Sequence, residues 1–226
     1  LPYLPNKPGI NKDLVGLNRL ISYVDDSIGK LREVLKDTQL EDNTLLIFTT
    51  DHGIAMPRAK GTCYDPGLET AFLLYQPDEF EGGKVYQELL SNVDLLPTLL
   101  ELINVDIPEE LDGRSFLSLI QETDNYIPRD YIYCEMTWHN RYNPMRGIRT
   151  NRYKYIRNFG ERPLTFLPSD IYNGLAGGEV KEEYYSTVRP EEELYDLLND
   201  SLEKNNLCNN NEYKVLLDNF RNMIEN

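Results

Sequence analysis

The stretch Thr44-Leu-Leu-Ile-Phe-Thr-Thr-Asp-His-Gly53 decides how this chain is read. Its first seven residues are β-branched or apolar without polar alternation, the pattern of a strand buried on both faces, as in a parallel sheet. Asp51, His52 and Gly53 follow at once, so they stand where the strand ends, the usual place for ligands in an open α/β sheet. Upstream, Leu14, Leu17, Ile21, Val24, Ile28, Leu31 and Leu35 recur at steps of three and four. That spacing predicts a helix over residues 11–37 with its apolar stripe against a sheet. Helix, Glu41-Asp42-Asn43 turn and strand together make an α/β unit.

Downstream, residues 54–69 hold Pro57, Gly61, Pro66 and Gly67 without a period and read as a loop over the strand ends. Thr70-Ala-Phe-Leu-Leu-Tyr75 reads as a second buried strand. Ser91 opens a helical pattern that reaches Leu102, with Pro97 near its first turn. Asp112-Gly113 is a turn, and the polar segment from Asp124 to Arg129 reads as a boundary that divides the chain into 1–128 and 129–226. Beyond it, residues 131–135, 145–150 and 153–157 are short β-prone runs, with Asn151-Arg152 suited to a tight turn, and predict a small antiparallel sheet. Tyr213, Leu216, Leu217, Phe220 and Ile224 share one face of a terminal helix over 212–224 that should cover the sheet. Residues 160–190 show no period, and the doublets Gly82-Gly83 and Gly177-Gly178 read as turns.

Across 226 residues, 40% are hydrophobic, enough for a buried core, and the net charge is −15. Such an excess of acid disfavours a polyanion partner, so nucleic-acid binding is not expected. Apolar runs such as Leu45 to Phe48 fall far short of the roughly 20 residues a bilayer span needs, so no membrane span is expected. Cys63, Cys134 and Cys208 are odd in number and widely spaced, which indicates neither a disulfide framework nor a zinc knuckle. The opening at Leu1, with its Pro-rich turns, suggests a piece of a longer chain.

Asp51 and His52 offer a carboxylate oxygen and an imidazole nitrogen side by side, which can serve a divalent cation if other segments add ligands. The same residues equally suit a turn acceptor and a half-buried polar ring. Lys60 could neutralise the oxygens of a charged ester, or simply be a solvated lysine. His139 sits among Trp138, Asn140 and Arg141, a group able to hydrogen-bond an anion or a sugar hydroxyl, or to form an ordinary surface loop. Arg146 and Arg149 are read as sharing one strand face, with salt bridges as the alternative role. Gly-x-Ser-x-Gly, Walker and dinucleotide glycine patterns are all missing.

Several stretches, taken in order, resemble the carboxyl-terminal half of a sulfatase of the alkaline-phosphatase superfamily. They are Tyr23-Val-Asp-Asp-Ser-Ile-Gly-Lys-Leu31, Asp42 through Gly53, Ser91-Asn-Val-Asp-Leu-Leu-Pro-Thr-Leu-Leu100 and Leu111-Asp-Gly-Arg-Ser-Phe116. The runs Pro144 to Ile156 and Glu193 to Leu207 resemble the family's terminal subdomain. Within the family, the Met-Pro-bearing loop followed by Lys60, Tyr64, Pro66 and Gly67 is most similar to the heparan N-sulfatase (sulfamidase) type.

The resemblance implies an α/β fold: the carboxyl-terminal part of an alkaline-phosphatase-like α/β sandwich in 1–128, with a small antiparallel-sheet and helix subdomain in 129–226. It implies that Asp51 and His52 bind a divalent ion of calcium type, that Lys60 contacts sulfate, and that His139 lines the substrate pocket. Sulfated small molecules or sulfated sugars are the implied substrates. The family nucleophile is a formylglycine made from Cys or Ser in Cys/Ser-x-Pro-x-Arg, a motif these 226 residues lack. Formylglycine and a further pair of metal-binding aspartates are therefore expected in a missing amino-terminal half, and pairing with that half, or self-association, is expected to cover apolar edges. Two other readings remain at this stage: a phosphodiesterase or phosphonate hydrolase of the same superfamily, and a non-catalytic module binding a partner through its Tyr-rich end.

Overall fold

The first helix, α1 (Pro8–Asp37), starts three residues earlier than its apolar spacing predicts. Proline is well placed in a first turn, because its missing N–H would be unbonded there anyway. The computed structural model describes residues 1–77, 79–123, 125–160 and 163–225, so Asp124, where the expected boundary segment begins, lies outside the described residues. The apolar stripe of α1 does not find the sheet expected for it. Ile10 is buried and Leu14 and Leu17 are half-covered, but Ile21, Val24 and Leu31 stand exposed. The main partner of α1 is another helix, α6, described below.

Strand β1 (Leu46–Thr49) pairs antiparallel with β2 (Phe72–Tyr75), Leu46 opposite Tyr75 and Thr49 opposite Phe72, which corrects the parallel-strand expectation. Apolar residues on both faces do not set strand direction. The connecting residues fold back as a loop with one short helix, α2 (Asp65–Leu68), rather than crossing over the sheet to restart in the same direction. Both strands are half-covered rather than fully buried, and Leu73 is exposed. Next comes α3 (Leu95–Leu102), preceded by a 3-10 turn in which Ser91 and Asp94 form a reciprocal capping box. The one-turn helix α4 (Leu117–Ile120) follows.

A four-stranded antiparallel sheet then runs in the order β3 (Tyr131–Trp138), β4 (Tyr142–Thr150), β5 (Tyr153–Asn158), β6 (Glu192–Asp196). The three predicted runs are present, and residues 151–152 form the tight connection between β4 and β5. The fourth strand is not among the predicted runs, because Glu191-Glu192-Glu193 is a run of three charges without apolar alternation. In the fold, Glu192 pairs with Arg157 and Arg221, while Glu193 accepts from Tyr64, Tyr195 and Asn158.

Period-two alternation gives this sheet two covered faces. Ile148, Tyr155 and Leu194 meet Leu217 and Phe220 of the last helix, α7 (Lys214–Glu225), as the terminal-helix expectation requires. The Phe220 ring stacks on Tyr155 with centroids 6.0 Å apart. On the other face, Met145, Ile156 and Tyr195 pack on Cys63 and Tyr64, so one core cluster joins the segment after β1 to the sheet.

Residues 160–190, silent in sequence, contain α5 (Ser169–Tyr172) and α6 (Leu175–Ser186). Gly177-Gly178 lies inside α6 and is not a turn. There Ala176, Val180 and Tyr184 bury against Leu4, Ile10 and Met56, and this packing overrides the low helix propensity of glycine. Among the described residues, no helix is long and apolar enough to cross a membrane.

Candidate functional site

Gly53 N–H donates to the Gly67 carbonyl at 2.9 Å and Ile54 N–H to the Pro66 carbonyl at 3.0 Å, closing residues 53–67 into a clasp. A Cβ on Gly53 would lie 2.0 Å from the Pro66 oxygen, so a residue with a side chain cannot follow Asp51-His52 in this backbone. The clasp is a loop, as predicted, yet its side chains are not solvated: Met56, Ala59, Cys63 and Tyr64 are buried. Tyr64 donates its hydroxyl to Glu193 at 2.6 Å, and the Arg58 guanidinium lies over the Tyr64 ring, 3.9 Å from its centroid.

Beneath the clasp, Lys154 is fully buried and pairs with Asp65 and, at 2.8 Å, with Glu203. Burial pushes the Asp65 carboxyl up, but Lys154 and Arg149 together outweigh it and hold the group below the usual carboxylate range. At Glu203 burial wins over the same ammonium, and the carboxyl is raised. Arg149 reaches Asp65 at 3.3 Å, whereas Arg146 pairs with Glu135 at 3.1 Å. The two arginines, three positions apart on a regular strand, therefore lie on opposite faces, which corrects the shared-face reading and bears out their role in salt bridges.

Asp51 and His52 emerge just before the clasp closes. The Asp51 side chain is 89% exposed, and its Oδ1 lies 3.6 Å from His52 Nε2. His52 Nδ1 is 2.7 Å from the Gly53 carbonyl, which can only accept. Nδ1 is therefore the nitrogen that carries a proton, and Nε2 is the nitrogen that faces the carboxylate. A backbone carbonyl fixing the far nitrogen is the arrangement common to metal-binding histidines. The donor set thus fits part of a divalent-cation site, one hard oxygen and one imidazole nitrogen. Among the described residues no third His, Cys, Asp or Glu joins them.

The Lys60 backbone N–H donates to the Ile54 carbonyl at 3.2 Å, which turns this part of the clasp back on itself. Its side chain is 17% exposed, and its ammonium contacts Asp170 Oδ2 at 2.9 Å. Partial burial raises the Asp170 carboxyl, but Lys60 and the backbone N–H groups starting α5 outweigh it and hold it below its ordinary value. No sequence signal marked Asp170, since it lies in the stretch without periodicity.

The β3–β4 hairpin tip, His139 to Arg141, reaches the same corner. Asn140 Oδ1 accepts from Ser169 N–H at 2.8 Å, next to Asp170, and the Arg141 guanidinium stacks over Phe166 at 4.8 Å. The His139 side chain remains exposed. Alongside runs an open groove of about 320 Å³ lined by Lys12, Asp13, Leu17, Met56, Asp170 and Ile171, a volume suited to a small ligand.

A carboxylate and an imidazole thus stand at a strand end, and a lysine follows in a glycine-closed clasp. The chain belongs to the sulfatase family, whose model matches residues 17–105. An ulvan-active sulfatase of Formosa agariphila is 39% identical over 204 residues, covering 85% of this chain and 39% of that protein. Human N-sulphoglucosamine sulphohydrolase is 24% identical over 250 residues, covering 99% of this chain and 49% of that protein. A solved 2-O GAG sulfatase superposes with a TM-score of 0.68 at 24% identity, over 89% of this chain and 40% of that one, and shows the shared fold. The chain thus spans less than half the length of these relatives.

Proposed function

We propose that the protein takes part in the hydrolysis of sulfate esters or sulfamates on a sulfated sugar. The observation that carries this reading is the Asp51–His52 pair, a carboxylate oxygen 3.6 Å from an imidazole nitrogen at a strand end, with the Lys60-bearing clasp following it directly in the chain. In it, Asp51 Oδ1 and His52 Nε2 hold a divalent ion of calcium type, and the Lys60 ammonium meets the sulfate oxygens where negative charge grows as the leaving group departs. Asp170 keeps that ammonium in place, and His139 borders the sugar. The ion would neutralise sulfate charge, and a formylglycine outside these 226 residues would supply the nucleophile.

The relatives' names, ulvan-active sulfatase and N-sulphoglucosamine sulphohydrolase, support a sulfated saccharide as the substrate class. The test is sulfate release from sulfated saccharides by the protein expressed from its complete reading frame, with calcium binding followed by calorimetry. Lys60→Ala is expected to lower kcat by about 100-fold or more, and Asp51→Ala to weaken calcium binding. Unchanged activity in the first variant and unchanged affinity in the second would overturn the assignment. Faster turnover of phosphonates or phosphodiesters than of sulfated sugars would move it to the hydrolases of the wider superfamily.

A further inference from the structure

We infer that Cys63 and Cys134 are a thiol–disulfide exchange pair, which a low-molecular-weight disulfide such as oxidised glutathione converts into an internal bond tying the Lys60 clasp to β3. Cys63 lies in the clasp three residues after Lys60 and is 1% exposed, while Cys134 is half-buried on β3, the outer strand of the sheet. Far apart in sequence, both converge over Gly147, the register partner of Cys134 on β4. The point that a Cβ on Gly147 would occupy is 2.6 Å from Cys134 Sγ and 3.6 Å from Cys63 Cβ. A side chain at 147 would displace the Cys134 sulfur while leaving Cys63 Cβ at ordinary contact distance, so the glycine leaves the room in which the Cys134 thiol sits beside Cys63.

The chemistry of the pair is asymmetric. Interaction with the neighbouring Cys63 thiol, helped by the nearby Lys154 ammonium against the opposing effect of burial, holds the Cys134 thiol below its ordinary value. The same interaction, with burial, pushes Cys63 up. Cys134 is therefore the attacking sulfur and Cys63 the resolving one.

Cys134 thiolate attacks one sulfur of the small disulfide, whose S–S bond breaks and releases a thiolate. Cys63 then loses its proton, and its sulfur attacks Cys134 Sγ, expelling the second thiolate. The protein gives up two electrons and two protons, and the small disulfide becomes two thiols. Cys208, on the far face of the sheet beside α7, serves as an internal control, because burial pushes its thiol up to about 12.

The test is peptide mapping after incubation with oxidised glutathione, acid quench and alkylation in denaturant. Free Cys63 and Cys134 are expected to disappear together into one cross-linked peptide pair that dithiothreitol reverses, with Cys208 alkylated throughout. Cys63→Ser should instead accumulate a single glutathione on Cys134. Cys134→Ser should slow modification of Cys63 by about 10-fold or more. The oxidised protein should melt about 5 °C or more above the reduced one, since the bond closes a long loop. The proposal is overturned if Cys63 and Cys134 react no faster than Cys208, if Cys134 carries an unresolved adduct in the unmutated protein, or if oxidation leaves the melting temperature unchanged or lower.

Discussion

Replacing Gly53 by alanine probes the closure on which the candidate site depends. The new Cβ would sit 2.0 Å from the Pro66 oxygen and 2.8 Å from Gly67 C, both backbone atoms with no rotamer to yield. Reaching ordinary van der Waals separation requires the two segments to part by roughly 1.5 Å. That movement breaks the Gly53–Gly67 and Ile54–Pro66 hydrogen bonds. Two such bonds at about 1 kcal/mol each, with about 1 kcal/mol of overpacking strain, make a loss near 3 kcal/mol. For a chain of this size, a loss of that kind lowers Tm by about 6–12 °C. Urea unfolding and a thermal melt read it directly. Gly178→Ala is the matched control: it lies in α6 with nothing within 4 Å of its Cβ, and it should gain about 0.5–1 kcal/mol in helix propensity. If Gly53→Ala shifted stability no more than Gly178→Ala, the clasp would not be the rigid closure described.

Lys154→Met leaves Glu203 and Asp65 beneath the clasp without their ammonium and should cost about 3 kcal/mol in urea unfolding, with part restored by adding Glu203→Gln. Glu192 sets an acid limit. Hydrogen bonding from Arg221, assisted by Tyr155 and opposed by partial burial, lowers its carboxyl from the ordinary 4.5 to about 2. A depressed carboxyl stabilises the fold fully above the unfolded value and loses that contribution as pH falls from 4.5 toward 2. Because Arg221 is 38% exposed, solvent screening reduces the contribution to about 1–2 kcal/mol. Glu192→Gln should flatten the urea midpoint across that pH window, and an unchanged slope would refute the pairing.

What the sequence revealed follows from which interactions are local. The heptad-like spacing in α1, the β-prone runs around Asn151-Arg152 and the apolar face of α7 are short-range patterns, and the structure contains all three elements. Strand direction is not local. The apolar run before Asp51 looks the same in either orientation, and the return of residues 50–71 as a clasp decides for an antiparallel pair. Strand β6 and Lys154 were hidden for one reason: charged residues in a core look like surface residues until their partners, drawn from distant segments, are known. At the site, Asp51, His52 and Lys60 were visible because they sit in one motif and one loop. Asp170 was not, because only tertiary packing carries α5 to Lys60.

The clasp rests on a floor built from residues that follow it by 70 to 140 positions, including Met145, Ile156 and Tyr195, and that floor is backed in turn by α7 at the chain's far end. A ribosome delivers the Asp51–Lys60 segment long before the surface that shapes it exists. During synthesis this stretch must wait unfolded, with Tyr64 and Cys63 open to solvent and to passing chaperones. Loss of α7 would thus be felt across the sheet, as a site that never matures.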